Sequence, residues 1–259
     1  MVAAHEPLRR GYATYSGLAL GYLERCLLLT EETLAIARNR NHVFTIGWAL
    51  LAASRVYREA GRFTEALSTG AEAIELCERH GFVARLGTVL LQTGGTHCRL
   101  GETDRGLTET RRGLELWRRT SSRLHMSHYL SDFADNLLRA REYDEAEKAI
   151  REGEQVVAET DERSHVGELL RLRGLLLTLS GKVADGTPKL WGAVEWAQSR
   201  NTKLFELRAL RDLTRPEISQ HESKKAATAL RQVIAWFPNT LQFPDLREAR
   251  EALDRIEIC

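Results

Sequence analysis

Core-type residues in this chain recur three and four positions apart over stretches of about four turns, the spacing that lines one face of an α-helix. Leu86, Leu90, Thr93 and His97 form one such face. Alternating β-branched runs closed by hairpin turns, the signature of strands, are absent from the sequence. Superimposed on the helical pattern is a longer one. Gly21, Gly61, Gly101 and Gly181 fall on a 40-residue grid whose other points are Arg141 and His221. Glycine is 19 of 259 residues, so six arbitrary positions would hold fewer than one; four on one grid mark an internal repeat.

The grid extends to other slots. Five positions after it stand Cys26, Ala66, Gly106, Ala146, Gly186 and Ala226, and seven before it Thr14, Ser54, Gly94, Ala134, Gly174 and Thr214, all small. Twelve positions after it come Thr33, Ala73, Gly113, Gly153, Ala193 and Val233. Eleven before it, Arg10 is followed by Leu50, Leu90, Leu130, Leu170 and Leu210. Two antiparallel helices approach closely only where small side chains meet, and a glycine between them ends the first helix in the left-handed region at little cost. Each repeat therefore predicts a helix hairpin, and a leucine forced into a crossing slot would cost about 1–3 kcal/mol by overpacking.

The first helices of the pairs are expected near 8–20, 43–60, 83–100, 123–140, 163–180 and 202–214, and the second near 23–39, 63–79, 103–119, 143–159, 183–199 and 222–236. A final helix near 245–256, after a bend bracketed by Pro238 and Pro244, is expected to cap the stack. Early acidic residues, as in Thr64-Glu65-Ala66 and Tyr143-Asp144-Glu145-Ala146, suit the positive end of the helix dipole. The fold class is all-α, a right-handed α-solenoid of about six hairpins. Residues 1–7 are expected to be disordered and 8–259 to form one repeat domain.

Composition narrows the function. The 37 basic and 36 acidic residues nearly cancel, which argues against nucleic acid as a partner, since that needs a net basic footprint. Cys26, Cys77, Cys98 and Cys259 form neither a C-x-x-C pair nor a disulfide framework and read as reduced thiols. Residues 1–10 lack a signal-peptide core, and the apolar stretch near Leu175–Leu179 is too short to span a bilayer. No membrane association and a cytoplasmic location are the expectation.

Ser54, Tyr57, Gly61, Ala66 and Ala73 match the tetratricopeptide pattern, with a period of 40 instead of about 34. More closely, the chain resembles the C-terminal helical-repeat region of bacterial signalling proteins that join a class III adenylate/guanylate cyclase, or a similar output domain, to a STAND-type regulatory ATPase. The resemblance is carried by Thr33-Leu34-Ala35-Ile36-Ala37 with Asn41-His42-Val43-Phe44-Thr45, Gly113-Leu114-Glu115-Leu116-Trp117-Arg118, Glu168 through Gly181, and Phe205-Glu206-Leu207-Arg208-Ala209. It continues at Trp236-Phe237 followed by Pro244-Asp245-Leu246-Arg247-Glu248-Ala249. The chain departs from that family at Pro238-Asn239-Thr240-Leu241-Gln242-Phe243 and has no G-x-x-x-x-G-K-[ST] phosphate loop. The resemblance thus implies a sensing or restraining tail, without the family's ATP-dependent activities.

Candidate sites are few. His125 and His128 stand three apart, a spacing that can hold a metal, but lack a third ligand and read as surface or groove histidines. Cys26 sits in a crossing slot and reads as a buried thiol. Arg111, Arg112, Arg118 and Arg119, interspersed with Glu109 and Glu115, read as a solvated face, with phosphate or an acidic partner as the alternative. In a solenoid the first helices line the concave groove, which here would present Trp48, Arg55, Arg58, His128, Asp135, Glu168, Arg171 and Arg211. No catalytic set, cofactor or metal site is assigned, and no enzyme activity is expected. The expected function is a non-catalytic interaction or ligand-sensing module whose groove binds a protein or peptide; the alternative is a structural scaffold that self-associates.

Overall fold

The computed structural model describes Glu6–Ile258 of the 259 residues. Residues 1–5 of the segment expected to be disordered, and Cys259, lie outside the described residues. Among those described there are thirteen α-helices and no strand. They divide into two compact units: Met1–Leu18 with Tyr22–Leu124, and Ala19–Gly21 with His125–Cys259.

The first unit contains α1 (Glu6–Leu20) as far as Leu18, with α2 (Leu23–Arg40), α3 (Val43–Glu59), α4 (Phe63–His80), α5 (Val83–Arg99) and α6 (Thr103–Arg119). The second contains α7 (Met126–Arg139), α8 (Tyr143–Thr160), α9 (Val166–Leu179), α10 (Val183–Ser199), α11 (Lys203–Asp212), α12 (Gln220–Trp236) and α13 (Pro244–Ile258). In each unit a helix packs on its hairpin partner and odd-numbered helices pack on one another, α3 on α5, α7 on α9 and α9 on α11. This is a tetratricopeptide-like helical-repeat fold, as the 40-residue pattern predicts.

The small-residue slots are the crossing points. Cys26, Ala66, Ala146 and Ala226 are buried, as are Ser54 and Ala134 on the facing helices and Thr214 in the turn just after α11. Where both slots are glycine the backbones themselves touch. A Cβ on Gly94 of α5 would lie 2.6 Å from the Gly106 carbonyl oxygen of α6, and one on Gly174 of α9 would lie 2.9 Å from the Gly186 carbonyl of α10. Leu50, Leu90, Leu130 and Leu210 are buried beside these contacts.

The turns within the hairpins are closed by one bond pattern. Arg62 N donates to Tyr57 O at 2.8 Å, Glu102 N to His97 O at 2.9 Å, Glu142 N to Leu137 O at 2.9 Å and Lys182 N to Leu177 O at 2.8 Å. This six-to-one closure requires a left-handed residue just before the donor. Gly101 supplies it at φ 85°, and Arg141 adopts it at φ 64° without the freedom of glycine. A second left-handed series, Asn41, Gly81, Ser121, Asp161 and Asn201, closes the turns between hairpins, again one residue in forty.

Three boundaries differ from expectation. His221 is not a turn residue; it lies in the first turn of α12, which starts at Gln220 and is capped by Ser219. The cause is Pro216, which cannot extend α11 and restricts the residue before it, so α11 ends at Asp212 and a longer connection replaces the tight turn. Helices α7 and α9 start three residues later than expected. Ser122 N and Glu162 N there bond to the hydroxyls of Thr120 and Thr160, both at 3.3 Å, drawing the backbone away from helix.

Candidate ligand-binding site

In the second unit the 40-residue repeat sets Arg171 of α9 and Arg211 of α11 in corresponding places, and carboxylates fill the spaces around them. Arg171, 1% exposed, donates from Nη1 to Asp212 Oδ2 at 2.7 Å, from Nη2 to Asp135 Oδ1 at 2.7 Å, and from Nε to Glu168 Oε1 at 3.1 Å. Arg208 grips both oxygens of Asp245 at 2.8 and 3.1 Å and reaches Glu168 at 3.4 Å. Arg211 bonds Asp212, Asp245 and Glu248, and Arg139 joins Asp135 at 3.0 Å to Glu248 at 3.4 Å. Helices α7, α9, α11 and α13 are thereby tied through one polar network, each guanidinium meeting at least two carboxylates.

Electrostatics within the network favours the charged forms. Burial disfavours the Arg171 guanidinium, yet Glu168, Asp135 and Asp212 outweigh it and raise its pKa well above the usual arginine value. Burial would likewise raise the Asp212 carboxyl, but Arg211 and Arg171 beside it hold it below its ordinary value. Buried charges persist where partners and hydrogen bonds satisfy them, as here.

One side of the network opens into a cavity of about 570 Å³. Its walls include Asp135, Arg139, Arg211, Asp212 and Glu248, with Leu138, Leu175, Leu179 and Tyr143 as apolar surface. Arg141, Arg215, Glu217, Glu251 and Arg255 complete the lining. Arg215 faces Glu217 at 3.4 Å, whereas exposed Arg141 and Arg255 make no ion pair among the described residues. The cavity is large enough for a few side chains of a peptide or a small organic anion.

The candidate groove residues separate accordingly. Asp135 and Arg211 line the cavity; Glu168 and Arg171 lie in the network behind it. His128 is fully buried, its ring stacked 4.3 Å from that of His165. Among the described residues no group of three or more His, Cys, Asp or Glu side chains is placed to hold a metal ion. In the first unit Trp48 lies 4.9 Å from the Tyr12 ring with its indole against Gly11, Arg55 stacks on Tyr15 at 4.5 Å, and Arg58 bonds Glu59 at 2.8 Å.

Arg139, Arg208, Asp212, Asp245 and Glu248 were not among the residues picked from sequence. The i,i+4 pairs Asp135/Arg139 and Arg208/Asp212 are a signal that was there to read. Arg111, Arg112, Arg118 and Arg119 are exposed, as a solvated face requires. Cys26, Cys77 and Cys98 are free thiols, and burial pushes Cys26 up to about 12 and Cys77 to about 11, so both stay protonated at neutral pH. No described helix is long and apolar enough to cross a membrane.

No protein-family model matches this chain, and no curated protein matches it in sequence. Solved structures do match in fold. One is a Rap protein complexed with competence and sporulation factor, with TM-score 0.74 and 10% identity, covering 98% of this chain and 70% of that one. Another is the apo form of RapI, TM-score 0.59 and 13% identity, covering 100% of this chain and 66% of that one. A third is BtubC from P. vanneervenii, TM-score 0.53 and 14% identity, covering 92% and 88%. At these identities the likeness is one of fold.

Proposed function

We propose that this chain is a non-catalytic interaction module whose second unit receives a segment of a protein or peptide partner in the cavity beside the ion-pair network. One observation carries the reading: the cavity has a wall of mutually neutralised charges, leucines and a tyrosine for apolar contact, and in its lining the arginines Arg141 and Arg255, which make no ion pair among the described residues. Neutralised walls give shape and register, apolar surface gives affinity, and an unpaired guanidinium selects a carboxylate. The carboxylate and guanidinium partners hold each other charged, which supports a binding role over acid–base chemistry. The likeness to a Rap protein solved in complex with competence and sporulation factor supports a binding role for the same fold here.

The resemblance to cyclase–ATPase tails adds a finer reading, in which the bound segment belongs to a signalling assembly and occupancy restrains or releases its output. An in-frame cyclase or ATPase reading frame directly upstream of the coding sequence would support it. The binding role itself is tested by selecting displayed random peptides on the purified chain and re-measuring the winners on an Arg141→Glu/Tyr143→Ala variant. Acidic peptides that lose roughly tenfold or more in affinity are expected. Peptides that bind both proteins equally would place recognition elsewhere.

A further inference from the structure

The first unit carries a different kind of arginine. Arg85, in the first turn of α5, has its guanidinium carbon 3.7 Å from the centre of the Phe44 ring and 5.4 Å from that of Trp48. It makes no ion pair and donates no hydrogen bond among the described residues, and its Nη1 is buried without a partner. Burial pulls its pKa below the usual arginine value, with only Cys77 and Tyr12 working weakly the other way. Arginines withdrawn from water are ordinarily met by a carboxylate, and the second unit shows three that are, Arg171, Arg208 and Arg211. Stacking on a ring returns part of the lost hydration but supplies no acceptor for the N–H groups.

The surroundings are apolar and open. Tyr12, Phe44 and Val83 are 47%, 44% and 45% exposed. Phe82 packs edge-on against Phe44 at 5.9 Å, and His80 stacks on Phe82 at 5.8 Å. Loose hydrophobic residues on a surface are unremarkable, but an aromatic rim closed around a cation that lacks its anion is a complementary half. Trp48 Nε1, although also without an acceptor, is turned against Gly11 and offers the site no donor, but its ring lies 5.4 Å from the Arg85 guanidinium and so reports on it. A nucleic acid would need a run of cations to replace its counterions, and this patch has one arginine amid rings.

We propose that Arg85, seated on Phe44 and rimmed by Tyr12, Phe82 and Val83, is a docking site for a carboxylate side chain flanked by apolar residues on an extended segment of a protein partner. The carboxylate accepts from the guanidinium edge while its neighbours cover the exposed rings. This site is independent of the cavity in the second unit and stands or falls without it.

The test follows the Arg85 Nε–H and Trp48 indole cross-peaks of the full-length protein by ¹H–¹⁵N NMR. The probes are a blocked Phe-Glu-Phe-Leu peptide, its Phe-Gln-Phe-Leu counterpart, and inorganic phosphate. The Glu peptide is expected to shift both cross-peaks and to bind roughly tenfold more tightly than the Gln peptide. That preference should vanish in Arg85→Met and fall in Arg85→Lys, which keeps the charge and loses the planar fork. Equal binding of the two peptides, or a Glu preference that survives in Arg85→Lys undiminished, would overturn the proposal. So would phosphate alone giving the same shifts at the same concentration, which would leave only a nonspecific anion site.

Discussion

Arg171 and Arg85 are both withdrawn from water, one on α9 in the second unit and one on α5 in the first, yet their surroundings have little in common. Three carboxylates meet Arg171 within 3.1 Å; Arg85 meets two aromatic rings and no acid among the described residues. The first arrangement is complete and ties helices together. The second leaves a guanidinium nitrogen without an acceptor among the described residues. A charge drawn out of water reads as architecture when its partners are all present, and the proposal for Arg85 is that a partner-less one serves recognition.

The sharpest way to break this contrast is to remove the guanidiniums in turn. Arg171→Ala takes from Glu168, Asp135 and Asp212 their one shared guanidinium, leaving each a single arginine (Arg208, Arg139 and Arg211), and is expected to cost about 3–5 kcal/mol in denaturant unfolding. An effect below about 1 kcal/mol would mean that the network is not structural. Next comes Gly94→Ala, whose Cβ would lie 2.5 Å from Thr110 Oγ1 and 2.6 Å from the Gly106 carbonyl, with an expected loss of about 1–3 kcal/mol. Gly174→Ala in the second unit, whose Cβ would lie 2.9 Å from the Gly186 carbonyl, should cost somewhat less; a larger loss than for Gly94→Ala would show that the units differ in more than their charges. Gly101→Ala meets no atom within 4 Å and is penalised by its φ of 85° alone, at about 1 kcal/mol.

Solution pH should separate the units by sign. Asp212 has a folded-state pKa below its ordinary 3.8, so its contribution is present above that value and is lost as pH falls through the lower folded value. Cys26 has a pKa raised from 9.0 to about 12, so its contribution is present below pH 9 and is lost as pH rises toward 12. At pH 10 the Cys26 penalty is about 1 kcal/mol, and Cys26→Ala, which places alanine where Ala66 and Ala146 already stand, should remove it. Hydrogen exchange should therefore show acid loosening α9 and α11 and alkali loosening α2; the reverse order would contradict both assignments. The smallest effect is expected for Arg85→Met, within about 1 kcal/mol of the parent protein, because only a stacked cation is lost.

Much of the fold was legible because crossing helices leave a periodic demand for small residues. Ala66, Gly106 and Ala146 all answer it. The second left-handed series was harder to see, since Asn41, Gly81, Ser121, Asp161 and Asn201 share a backbone conformation and not a residue type. His221 misled because Pro216, five residues earlier, had already replaced the turn. At the candidate site the sequence picks out Arg171, Asp135 and Arg211, which share helix faces with a regular spacing. It is silent on the pairing of Arg208 with Asp245, 37 residues away, and of Arg139 with Glu248, 109 residues away. Arg85 was invisible for a different reason: it stacks on Phe44 of another helix, and a contact of that kind leaves no mark in one-dimensional periodicity.

The two left-handed series also have a bearing on how such a chain can change its length. A joint falls every twenty residues from Gly21 to Asn201, so Gly61 and Gly101 are equivalent seams. Excising Arg62 through Gly101 would splice seam to like seam and keep every remaining helix pointing as before, whereas removing half that span would reverse the direction of all that follows. Growth and shrinkage of this architecture are thus quantised in whole hairpins.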